Sequence, residues 1–179
     1  MHSSEFSHVE KLAEPLLSAG LTYEYTQTPE QFFGQEEHER LTTNCKVVGH
    51  QFTRDVLGVE LPTDLQIAEA YLDPDTPTPS FRRVHPTEDL RLGDWILYGR
   101  RSGIHPRLIT PRFDAGGNMV NWQDLPLNHQ AVYLGEHRGR RMVLHATPES
   151  GVSIAVHSNI RRSSRTAEVY EVLRLKAIS

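Results

Sequence analysis

The sequence predicts an α+β fold, and three observations predict it. Apolar residues recur at helical spacing through the first seventy or so positions. From Asp94 onward the period shortens to two, in short β-prone runs. Gly135, Gly139 and Gly151 punctuate those runs, as closely spaced antiparallel strands require.

Ser7 to Ala19 reads as the first helix. Ser7 can cap it, Glu10 follows three residues on, and Gly20 can stop it. Leu12, Leu16 and Leu17 supply an apolar stripe, and Pro15 falls inside. Thr43 to Leu57 reads as the second helix. Thr42 or Thr43 is placed to cap it, Cys45, Val48, Phe52 and Val56 share a face, and Gly58 follows. Cys45 therefore falls in the first turn. Thr63 to Leu72 reads as a third, short helix opened by a Thr63–Gln66 capping box. The Pro-rich run from Asp73 to Pro79 can be neither helix nor central strand.

The strand candidates are Asp94–Tyr98, Gln130–Leu134, Arg141–Leu144, Val152–Val156 and Glu168–Leu175, an antiparallel sheet of about five strands. Between the first two lie some thirty residues, Gly99 to Asn128, with weak periodicity. Loops longer than about 12–15 residues are usually functional or disordered. This one reads either as a lid or substrate wall, or as a disordered insertion.

With 179 residues the chain suits one domain, 1–179, and can bury a core without staples. Apolar residues make up 37% and charged residues 23%, the balance of a soluble globular chain. The formal charge of −4 offers no basic excess for nucleic acid, so no nucleic-acid partner is expected. No run approaches the roughly 18 apolar residues of a membrane span. The start lacks the basic and apolar regions of a secretory signal, so the chain is expected to be cytoplasmic as synthesised, with export by another route left open.

Cys45 is the only cysteine, so no internal disulfide can form. It is either a buried small hydrophobe or a nucleophile. The nucleophile reading needs a thiolate, which free amides and partial positive charge at a helix start favour. Those amides would also suit an oxyanion. A proton acceptor is needed too, most often His. Ten histidines are present. His129 opens one strand candidate and His145 ends the next. A hairpin around Gly135–Gly139 would make them neighbours at one edge of the sheet, one as base and the other holding its tautomer. His2, His8, His38, His50, His85, His105, His137 and His157 have no such placement and read as surface or structural.

Four segments in order then carry a resemblance. They are Thr43-Asn44-Cys45 at a helix start, Leu92-Gly93-Asp94-Trp95-Ile96-Leu97-Tyr98, His129-Gln130-Ala131-Val132-Tyr133-Leu134-Gly135, and Leu144-His145-Ala146. Together they resemble the NlpC-type cell-wall endopeptidases, whose pattern runs Asp-Cys-Ser-Gly, Gly-Asp-Leu-Val-Phe-Phe, His-Val-Gly-Ile-Tyr-Leu-Gly and Ile-His-Ala. Gly151 to Ile154 resembles the next strand of that family, and the match spans roughly Leu41 to Leu175. The resemblance implies a papain-like fold, with a nucleophile at a helix N-terminus packed on the C-terminal sheet. It implies a cysteine peptidase or amidase acting through a thioacyl intermediate. Cys45 would be nucleophile, His129 base and His145 the third residue, without a metal or other cofactor. The substrate implied is a peptide or peptidoglycan fragment. Asp94 takes a position that is structural in the family.

The departures define a divergent member. Asn44 replaces Asp, and Lys46-Val47 replace Ser-Gly. Lys46 either favours the thiolate or is solvated. The family's oxyanion Tyr, about a dozen residues before the Cys, falls where Phe32-Phe33-Gly34 stands, and Tyr23 and Tyr25 lie earlier still. Arg100 and Arg101, with Arg107 and Arg112, either bind substrate carboxylates or form a solvated loop. Arg161, Arg162 and Arg165 read as a polar turn before the last strand. Two alternatives stand beside the enzyme. One is a catalytically silent binding module on the same fold. The other is a zinc site built on Cys45, His129 and His145.

Overall fold

The first helix, α1 (Ser3–Ser18), starts earlier than Ser7 and runs through Pro15. Its buried face is Ala13 and Leu16, whereas Leu12 is exposed. A computed structural model describes residues 3–61, 80–101 and 126–176, with 110, 112, 115, 120, 121 and 124 between the last two. The helix expected over Thr63–Leu72 and most of the Gly99–Asn128 stretch lie outside the described residues.

Between α1 and the Cys45 helix the chain makes elements that periodicity does not announce. Strand β1 (Thr22–Tyr23) pairs in parallel with β2 (Thr42–Thr43), with Tyr23 opposite Thr43. Helix α2 (Pro29–Phe33) lies between them and is opened by a reciprocal capping box of Thr28 and Gln31. Phe32 anchors it against Leu21 and Val47. The second main helix, α3 (Cys45–Asp55), is capped by Asn44, not by Thr42 or Thr43.

The sheet has six antiparallel strands rather than about five. They are β3 (Phe81–Arg83), β4 (Trp95–Gly99), β5 (Leu127–His137), β6 (Arg140–Thr147), β7 (Gly151–Val156) and β8 (Glu168–Leu175), in the order β3-β8-β4-β5-β6-β7. The added strand, β3, pairs with β8 at one edge. β5 and β6 are joined at Arg138-Gly139, whose positive φ values of 51° and 72° suit a tight hairpin turn. A short helix, α4 (His157–Ile160), follows β7.

Side chains alternate between two cores, one on each face of the sheet. Trp95, Leu97, Val132, Leu134 and Leu144 pack under Ala13 and Leu16 of α1 and Val48 and Phe52 of α3. Ile96, Tyr98, Ala131, Tyr133 and Val143 form the opposite face, where Ile160 of α4 packs. Gly49 lets α3 approach the sheet, because a Cβ there would run into the Gln130 side chain and the Trp95 ring.

Asp94 has a structural role, and its partner is Arg174 on β8. The guanidinium grips both carboxylate oxygens, Nε to Oδ1 at 2.8 Å and Nη2 to Oδ2 at 2.7 Å. Asp94 and Arg174 are 0% and 1% exposed, so each charge depends on the other and on the remaining hydrogen bonds. Arg174 also donates to the Asp89 carbonyl and to Glu88, and Asp94 accepts from the Arg91 amide. No helix among the described residues is long and apolar enough to cross a membrane.

Candidate active site

Asn44 organises the start of α3. Its Oδ1 accepts from the amides of Lys46 and Val47, both at 3.0 Å. Its Nδ2 donates to the carbonyls of Gln27 at 2.6 Å and Glu24 at 3.1 Å, and more weakly to that of Tyr25 at 3.5 Å. An aspartate could make the first set of bonds but not the second. Asn44 thus ties the segment after β1 to the residue before Cys45. It also occupies two of the first-turn amides, which are therefore not free to hold an oxyanion.

The β1–β2 pairing brings forward a residue that spacing alone passed over. Tyr23 lies opposite Thr43, two residues before Cys45. It is close enough that charge on the Cys45 sulfur raises its pKa, after burial itself and ahead of Tyr25 and Glu149. The twenty-one residues between Tyr23 and Cys45 hold α2 and a 3-10 turn, which fold back and return the chain to Tyr23. Phe32, in the position where the sequence spacing would place such a tyrosine, is 1% exposed and belongs to a core cluster.

Cys45 keeps partial exposure at the start of α3. Burial pushes its thiol pKa up. The Gln130 amide, the Lys46 charge and the amides of Lys46 and Cys45 oppose the shift without cancelling it. The helix start does not by itself yield a resting thiolate, contrary to the expectation from placement alone. The source of the Gln130 amide follows from strand geometry. Tyr133 donates to the Asp94 carbonyl at 2.8 Å and accepts from the Gly93 amide at 2.9 Å, both beside β4. Bonding direction alternates along a strand, so the amide of Gln130, three residues away, points toward the β6 side. The β5–β6 register runs from Val132↔Leu144 to His137↔Arg140. Just beyond that register the Gln130 amide is near enough to Cys45 to oppose the rise in its thiol pKa. The His129 ring shares a sheet face with Tyr98, opposite the face on which α3 packs, and its described contacts are with His145 and Tyr98 and not with Cys45.

His129 and His145 are brought together as the hairpin implies, with Nε2 of the first 2.9 Å from Nδ1 of the second. The rings meet edge to face, 5.1 Å between centroids. β5 and β6 are interior strands, so the pair sits near strand ends rather than on an edge strand. Burial, then the charge of His145, holds the His129 pKa down to about 3. Burial alone lowers that of His145 to about 4. Both rings are neutral at physiological pH, and one donates to the other.

Among the other candidates, Arg101 is exposed and its Nε pairs with Glu168 at 2.7 Å. Arg100 lies beside Pro126, at the same end of the sheet as His129, and its carbonyl accepts from the Tyr170 hydroxyl. Among the described contacts, neither side chain is placed against Cys45. Arg107 lies outside the described residues, and Arg112 is within 3.8 Å of Asp124. No group of three or more His, Cys, Asp or Glu among the described residues is arranged to hold a metal ion. The facing nitrogens of His129 and His145 are engaged with each other, and each ring keeps one further nitrogen.

These residues define a mixed helix–sheet protein with a thiol at a helix start and a neutral imidazole pair on the neighbouring strands. Comparison with protein-family models and with curated proteins finds no match to this chain.

Proposed function

We propose that this chain is a papain-like cysteine hydrolase resembling the NlpC-type endopeptidases and that it cleaves an amide bond in a peptide or peptidoglycan fragment. One observation carries the reading. Cys45 opens α3, and the His129 imidazole on β5 is bonded to His145 on the adjacent strand β6. The reading takes the nucleophile from the helix start and the base and orienting group from two adjacent strands, and it requires the His129 ring to come within reach of Cys45.

In this reading His129 Nε2–H donates to His145 Nδ1, leaving His129 Nδ1 with the lone pair a base requires. Cys45 starts as a neutral thiol. As the sulfur attacks the carbonyl carbon, His129 takes the thiol proton and the carbonyl π-pair moves to oxygen. The amide of Cys45 and the hydroxyl of Tyr23 stabilise that oxyanion, since Asn44 already occupies the next two amides. Collapse breaks the C–N bond, and His129 returns the proton to the leaving amine. Water, deprotonated by His129, then hydrolyses the thioester and frees the acid and the thiol.

The test is hydrolysis of peptidoglycan fragments and simple peptide amides, with Cys45 alkylation by iodoacetamide near neutral pH in parallel. Cys45→Ala abolishes turnover and keeps the fold. His129→Ala lowers turnover and alkylation by about 10²-fold or more, and His145→Ala by less. Tyr23→Phe lowers kcat by about 10²-fold and leaves alkylation, which forms no oxyanion, unchanged. Alkylation that is slow and indifferent to His129 favours the silent binding module, the reading that a raised thiol pKa supports.

A further inference from the structure

We propose that Tyr98 and His157 act as positioning residues that brace the His129 imidazole from the neighbouring strand. The inference rests on the catalytic reading of Cys45 and His129. The β4–β5 register places Tyr98 directly opposite His129, so the two side chains share a face. Their ring centroids lie 6.0 Å apart at an interplanar angle of 37°. Tyr98 is 0% exposed, and its hydroxyl meets His157 Nδ1 at 2.7 Å. His157 opens α4, so this bond ties β4 to the segment that follows β7.

His145, His129, Tyr98 and His157 thereby form a continuous row of rings across β6, β5, β4 and α4, with successive centroids 5.1, 6.0 and 5.5 Å apart. A hydrogen bond at one nitrogen lets an imidazole pivot about that contact. An aromatic ring alongside restricts the pivot if that ring is itself fixed. A phenylalanine would fill the same space, but only a tyrosine can be tethered at its far end. Burial and the nearby Arg161 and Arg141 charges keep His157 neutral. With its proton on Nε2, a neutral His157 accepts the Tyr98 O–H at Nδ1.

The experiment is ¹⁵N NMR of the histidine rings in the full chain, read beside the Cys45 alkylation rate, for wild type, Tyr98→Phe, His157→Leu and His157→Gln. Wild type shows a single His129 tautomer. Tyr98→Phe and His157→Leu give mixed tautomers and slow alkylation about tenfold, the scale expected when a catalytic group is misplaced by a fraction of an ångström. His157→Gln, whose side-chain carbonyl can accept the same O–H, restores both. An unchanged His129 tautomer in Tyr98→Phe, even with a lowered Tm, overturns the brace. Tyr98→Phe removes one oxygen and keeps the packing, so it decides the matter if His157→Leu does not fold. Should wild-type alkylation already ignore His129→Ala, the catalytic reading fails while the tautomer comparison still decides the brace.

Discussion

His50 makes the fold sensitive to acid through a group that no catalytic step uses. It is 2% exposed on α3, beside the Trp95 ring at 5.3 Å, and its Nε2 has no hydrogen-bond partner among the described residues. Burial, and then the charge of Lys46, lowers its pKa from 6.5 to about 4. The unfolded chain keeps the ordinary value, so between pH 4 and 6.5 it binds more protons than the folded one. The stability linked to His50 is therefore fully present above pH 6.5 and is lost as pH falls toward 4. Two and a half pH units at roughly 1.4 kcal/mol each give a loss of about 3 kcal/mol. That is a large share of the roughly 5–15 kcal/mol that holds a domain together. His50→Leu removes the titrating group. Its packing cost does not depend on pH, so subtracting one urea-unfolding series from the other isolates the imidazole. The stability of the variant minus that of wild type should rise by about 3 kcal/mol between pH 7 and pH 4. Two curves that stay parallel across that window would refute the reasoning.

Two further substitutions test groups that hold the site in place. Asn44→Asp sets a carboxylate against the carbonyls of Gln27, Glu24 and Tyr25. It should destabilise by about 3 kcal/mol or more in thermal unfolding and change the alkylation rate of Cys45. Asp94→Asn leaves the buried Arg174 guanidinium with Glu88 as its one described acidic partner and should cost about 3 kcal/mol in urea unfolding. Pairing it with Arg174→Met should recover part of that loss.

Much of the sheet is legible in the sequence because its pattern is local. Glu168–Leu175 is found at the residues expected, since its flanks change character abruptly. β5 extends to Leu127 and His137, beyond the apolar run Gln130–Leu134, because pairing continues where side chains turn polar. β3 is not legible in the sequence, for a different reason. Phe81-Arg82-Arg83 has no alternation to read, and its place is set by β8, ninety residues away in sequence. α2 carried a usable signal in Thr28 and Gln31, but a five-residue helix has too few positions to show a period.

The site divides along the same line. His129 and His145 could be paired from sequence because one hairpin joins them, and strand geometry converts that short connection into a contact. Tyr23 could not, because its approach to Cys45 depends on a two-residue parallel ladder closed over an intervening helix. The same ladder accounts for Asn44. An acid at that position could cap α3 but could not donate to the three carbonyls that follow β1, whereas an amide does both. The departure at Asn44 and the distant position of Tyr23 are thus two sides of one construction. The chain leaves Tyr23, makes α2, and must be fastened again at the helix start. The amide of Asn44 is the fastening, and Tyr23 and Cys45 keep their places because of it.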